Sequence, residues 1–181
     1  AYAQYVGEVE VLRSYYFYLL FECFGRIPYT EKYEEVVGPM QQPWETWSNL
    51  VAVLERNAPN MAKVTDDASR AANYGRTTQG FAYALLARLY LNAESYDCTP
   101  ENVFKNVEAP ATYLGSFYDN CVRCCDAVIN AGSYSIENDY FANFKINNEG
   151  SKENIFVIVE NGLSDDERSS GSMSNKLRIV N

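Results

Sequence analysis

The run from Phe81 to Leu91, FAYALLARLYL, holds a single charge, Arg88, so a helix laid on it is apolar nearly all the way round. Such a helix has to be covered on more than one side. Ala82, Ala84 and Ala87 let neighbouring helices approach closely, while Phe81, Leu85, Leu89 and Tyr90 supply the bulk between them. One of Thr77 and Thr78 serves as N-cap, its hydroxyl accepting from a first-turn amide, and the helix begins at Gln79.

The remaining elements follow from periodicity and breakers. An opening helix runs to Gly25, which suits a left-handed C′ position, and Pro28 confirms the stop. Its longest uncharged run, Ser14 to Phe21, is far short of the roughly 20 apolar residues that span a bilayer, so it is a core helix. Pro43 fits the first turn of a second helix with Trp44, Trp47, Leu50, Val51 and Leu54 on one stripe, closed by Pro59. A polar linker from Lys63 to Asn73 precedes the central helix, and an irregular excursion from Glu94 to Gly115 follows it. A helix from Phe117 to Ala131 ends at Gly132, with Cys121, Cys125 and Val128 on its buried seam. Ile155 to Val159 reads as a short strand, and the Ser-, Asp- and Gly-rich stretch from Ser164 to Asn175 as a mobile surface loop. The pattern predicts a mostly α fold of stacked antiparallel helical hairpins, similar to tetratricopeptide repeats, with a short β segment near the C-terminus. Residues 1–162 form the scaffold in this reading, and 163–181 a flexible tail.

Charge and composition narrow the function. With 15 Lys and Arg against 24 Asp and Glu the formal charge is −9, and the basic residues are scattered, which argues against a nucleic-acid partner and against a basic membrane-binding surface. Tyr at 15 and Phe at 9 make the chain rich in amphipathic rings. Histidine is missing, so neither a Ser-His-Asp nor a Cys-His arrangement is available, and a hydrolase would need paired carboxylates. The adjacent acids Asp66 and Asp67, and Asp165, Asp166 and Glu167, fall in polar loops rather than in an apolar cleft that could raise one pKa. No catalytic residue is assigned.

The C-x-x-C within Cys121, Cys124 and Cys125 lies in mid-helix, away from the N-terminal position that activates a redox thiol. Without histidine, a zinc site there would need Cys23, Cys98 or a carboxylate to complete it. These cysteines read as small packing residues, with no metal and no cofactor. Arg13, Arg76 and Arg88 sit in apolar surroundings, where a permanent charge must find carboxylate or carbonyl partners. Glu8, Glu10 and Glu22 on the opening helix are the available acids. The expected role is to tie neighbouring helices together, the alternative being contact with a sugar hydroxyl or carboxylate.

Four segments in order resemble the SusD/RagB family of glycan-capturing outer-membrane lipoproteins of Bacteroidetes. They are GEVEVLRSYYFYLLFECFGRIPY (7–29), GRTTQGFAYALLARLYLNAESY (75–96), YDNCVRCCDAVINAGSYSI (118–136), and Glu153 with Ile155 and Phe156. The chain departs from the family pattern at Val9, Ser14 and Val53. The resemblance implies a non-enzymatic protein that captures an oligosaccharide and presents it to a SusC-like TonB-dependent transporter. It also implies a location at the outer-membrane surface, held by a lipid anchor. A full family member is longer, so these residues are expected to be an internal piece, and Arg13, Gly75, Arg76 and Arg88 belong to the family's scaffold motifs. For a sugar, the candidates by residue type are Trp44, Trp47, Tyr74, Tyr96 and Tyr113, both tryptophans being expected in the core. The other readings are a helical-repeat module that binds protein partners and a glycosidase.

Overall fold

The computed structural model describes residues 2–32, 37–145, 148–159 and 178–179. Helix α1 (Tyr2–Phe24) stops where Gly25 takes a φ of +68°, its amide returning to the Phe21 carbonyl at 2.8 Å. An antiparallel bridge between Pro28 and Met40 closes the connection to α2 (Pro43–Asn57), whose first turn is clamped by the Gln42 amide donating to Glu45 Oε2 at 2.8 Å. The predicted stripe is buried at Trp47, Leu50, Val51 and Leu54, while Trp44 is half-buried against the core. Asn57 at the end of α2 donates to Glu10 Oε2 at 2.7 Å near the start of α1, so the two helices run antiparallel.

The polar linker contains an element the pattern did not announce. Asp66 accepts from the Ser69 amide at 2.7 Å and its own amide donates to Ser69 Oγ at 3.0 Å, a reciprocal cap that starts α3 (Asp67–Ala72). Gly75, at a φ of +75°, then turns the chain into α4 (Gln79–Leu91), and the Thr78 hydroxyl caps it through the Phe81 amide. A single-turn helix α5 (Pro100–Val103) interrupts the excursion. Helix α6 (Phe117–Ile129) ends two residues earlier than the pattern predicts.

Its seam also differs from expectation. Cys124 is fully buried and Cys121 half-buried, whereas Cys125 is exposed. The covered face runs through Phe117, Asn120, Cys121 and Cys124, and Cys125 lies off it.

Helix α4 packs chiefly on α6 and also on α2, with α1 packed on α2. The expected two-sided cover of α4 is realised: Phe81, Ala82, Leu85, Leu86, Leu89 and Tyr90 are all buried. Phe156 stacks on Phe81 at 4.2 Å between ring centres, and Tyr15 meets both rings edge-on. The predicted strand is realised only as β1 (Val157–Ile158), paired antiparallel with β2 (Arg178–Ile179). The segment 164–175 expected to be mobile lies outside the described residues.

Candidate functional site

Two polar clusters fix the helical frame. Arg76 donates to Glu8 through Nε at 3.1 Å and Nη2 at 2.6 Å, and Thr77 Oγ1 donates to the Glu8 carbonyl at 3.1 Å, so the turn before α4 is tied to α1. Arg13 donates to the Glu31 carbonyl at 2.6 Å, and the Arg88 guanidinium lies 5.6 Å from the centre of the Tyr18 ring. Gly75 has a further constraint: a Cβ there would come within 2.6 Å of Val159 Cγ2. In the second cluster the buried Glu55 carboxylate accepts from Tyr90 and Thr112, each at 2.9 Å, and from Arg123. It joins α2, α4 and α6. Burial, reinforced by Glu55, pushes the Tyr90 phenol well above its usual range and keeps it a donor.

The five sugar candidates do not converge. Trp47 is fully buried, donates Nε1–H to the Leu89 carbonyl at 2.7 Å, and meets Tyr90 and Phe117 edge-on. Tyr113 lies against Phe104 and Phe117, whereas Tyr96 packs on Phe21 at 4.4 Å and its hydroxyl donates to Glu22. Trp44 is committed to the core edge. Tyr74 lines a small cleft with Arg70, Tyr134 and Phe156. The acidic pair is likewise in use: Asp66 caps α3, and Asp67 pairs with Lys152 at 3.1 Å. Asp165, Asp166 and Glu167 lie outside the described residues.

Solvent-facing rings gather elsewhere, on the 3₁₀ turn Tyr140–Phe144. Tyr140, Phe141 and Phe144 are 72%, 68% and 59% exposed, yet the Tyr140 ring centre is 5.4 Å from that of Phe141 and 5.5 Å from that of Phe144. The loop beneath holds them up. Asp139 accepts from Lys145 Nζ at 2.7 Å and from the Phe141 amide at 3.0 Å, contacts that hold its carboxyl below the usual range. Buried Asn143 donates to Glu153 at 2.8 Å, accepts from Ser151 Oγ at its side-chain oxygen, and accepts from Asn148 Nδ2 at its backbone carbonyl at 2.6 Å. Glu137 accepts from the Lys152 amide at 2.8 Å, closing the loop base. The arrangement presents three apolar ring faces with a carboxylate and an ammonium at their margin, the combination that covers sugar C–H surfaces and reaches sugar hydroxyls. The sequence signal was three aromatics within five residues of a polar stretch, bracketed by Asp139 and Lys145.

Fold and motifs define a helical-repeat scaffold of tetratricopeptide type. The family model described as SusD-like, starch-binding associating with outer membrane, matches residues 1–91, and the chain belongs to that family. Its fold is similar to that of a SusD-like protein from Bacteroides fragilis (TM-score 0.63, 18% identity), covering 90% of this chain and 28% of that one. It is also similar to surface glycan-binding protein A from Bacteroides uniformis (TM-score 0.64, 22% identity), covering 86% of this chain and 31% of that one. The chain thus spans about a third or less of these structures. A comparison with curated proteins finds no match. Among the described residues no helix is long and apolar enough to cross a membrane.

Proposed function

We propose that the chain is the helical frame of a non-enzymatic glycan-binding protein of the outer-membrane surface, and that the Tyr140–Phe141–Phe144 turn contributes a contact surface for the oligosaccharide. Family membership supplies the ligand class, and the carrying observation is that this turn exposes three rings, Phe141 and Phe144 each packed on Tyr140, on a hydrogen-bonded base. A lipid anchor outside these residues and delivery to a TonB-dependent transporter complete the proposal. The proposal assigns no catalytic role, and the adjacent acids Asp66 and Asp67 serve a helix cap and an ion pair.

The test is a glycan array that includes maltooligosaccharides, run on the chain and on Tyr140→Ala/Phe141→Ala. The proposal expects the double variant to lose at least tenfold in affinity for any glycan retained by the parent; an unchanged profile contradicts it.

A second reading, a helical-repeat module for protein partners, is favoured by one observation. The outer side of α1 exposes Tyr2, Tyr5, Val9, Tyr16, Leu20 and Phe24 at helical spacing, an apolar stripe on a helix already apolar on its inner face. Tyr16→Lys/Leu20→Glu separates the readings, since that change spares glycan binding and abolishes partner capture.

A further inference from the structure

Among the described residues, every hydrogen bond that leaves the ring turn passes through Asn143. Asp139 shapes the turn only from within, through the Phe141 and Ala142 amides and Lys145. The hold of the turn on the rest of the protein is therefore Asn143, which is buried beneath three exposed rings.

The Asn143 side chain sits in a closed circuit. Its Nδ2 donates to Glu153 Oε2 at 2.8 Å, its Oδ1 accepts from Ser151 Oγ, and Ser151 Oγ accepts in turn from the Glu153 amide at 3.2 Å. Glu153 Oε2 also accepts from the Glu137 amide at 3.2 Å, two residues before the Asp139 that caps the turn. One carboxylate oxygen thus grips both the segment that enters the turn and the turn's buried centre. The segment carrying Glu153 is itself anchored. The Ser135 amide donates to the Lys152 carbonyl at 3.1 Å and the Lys152 amide to the Glu137 carboxylate at 2.8 Å, while Phe156, three residues beyond Glu153, stacks on Phe81 of α4.

We propose that Glu153 is the positioning residue of the glycan contact, acting through Asn143 and the Glu137 amide to hold Tyr140, Phe141 and Phe144 in their exposed cluster. The inference rests on the reading of this turn as a glycan surface. Its physical content is preorganisation: rings untied from the frame move independently, and a sugar then has to order them as it binds, which subtracts from affinity. The role asks of residue 153 an acceptor oxygen and not a charge. Glutamine supplies that oxygen and alanine does not.

The test compares Glu153→Ala and Glu153→Gln with the parent chain by NMR, first without sugar and then in a titration with maltoheptaose. In Glu153→Ala the contacts of the Tyr140 ring with the Phe141 and Phe144 rings are expected to weaken, while the signals of the core residues Trp47 and Tyr90 stay in place. Affinity for maltoheptaose is expected to fall about fivefold, the worth of one hydrogen bond. Glu153→Gln is expected to keep both the ring contacts and the affinity. Ring contacts that persist in Glu153→Ala overturn the proposal, as does affinity that is unchanged although they are lost. A Glu153→Gln variant as defective as Glu153→Ala also overturns it, since the charge would then be what counts. Should maltoheptaose bind none of the three proteins, the glycan reading fails for that sugar, and the ring contacts measured without it still decide whether Glu153 holds the turn.

Discussion

Arg76 and Glu8, far apart in sequence, form a two-pronged ion pair through Nε and Nη2 of the guanidinium and both carboxylate oxygens. The Arg76 side chain is 35% exposed and that of Glu8 14%, so solvent screens the pair in part. Arg76→Lys keeps the charge but loses the fork. Urea denaturation is expected to show a loss of about 1 kcal/mol for Arg76→Lys and about 2 kcal/mol for Arg76→Ala, below the 3–5 kcal/mol of a broken, fully buried pair. Equal stability of all three proteins would remove the fork from the scaffold.

Glu55 is the deeper case. Arg123, Tyr90 and Thr112 all donate to it, so Glu55→Ala strands a cation and two hydroxyls and is expected to cost about 3–5 kcal/mol. Glu55→Gln keeps one acceptor oxygen and is expected to cost less. Thermal and urea unfolding of the two variants check the order.

Gly75→Ala is strained twice, by a φ of +75° and by the close approach of Val159. The expected loss is about 1–3 kcal/mol. Combining it with Val159→Ala should recover the contact share and leave the backbone share, so a double-mutant cycle separates the two.

Burial pushes the Cys98 and Cys124 thiols from 9.0 up to about 12. A raised folded-state value means the unfolded chain ionises first. Stability is therefore full below about pH 9 and falls as pH rises toward 12, by about 1.4 kcal/mol per pH unit for each thiol. Cys124→Ala should make that alkaline decline shallower, whereas Cys125→Ala, at an exposed position, should leave the stability at pH 8 unchanged. Chemical denaturation across pH 8–11 reads both.

The sequence revealed most where one face or one residue decides the structure. Helix α4 was legible because an all-round apolar segment has only one stable place, inside a stack. Arg76 was legible as a tie because a guanidinium beside apolar residues needs an acid, and Glu8 was among those available. Helix α3 was hidden because its cap is completed by Ser69 rather than by a longer acid or amide, inside a stretch with no apolar periodicity. The seam of α6 was misplaced because Cys121, Cys124 and Cys125 all lie within one helical turn of each other, and only the packing of α4 selects Cys124 over Cys125. The ring turn depends on Asn143, Ser151 and Glu153 meeting across a loop, contacts with no local signature.

The direct test of the central claim is a titration followed by NMR. The chain, with its aromatic side chains selectively labelled, would be titrated with maltoheptaose and with the strongest ligand from the glycan array. The account predicts saturable shifts concentrated on Tyr140, Phe141 and Phe144, weak in affinity because one ring surface with few fixed polar partners offers little surplus over the cost of ordering a sugar. Shifts confined to other residues, or saturable binding that survives Tyr140→Ala/Phe141→Ala unchanged, would contradict it.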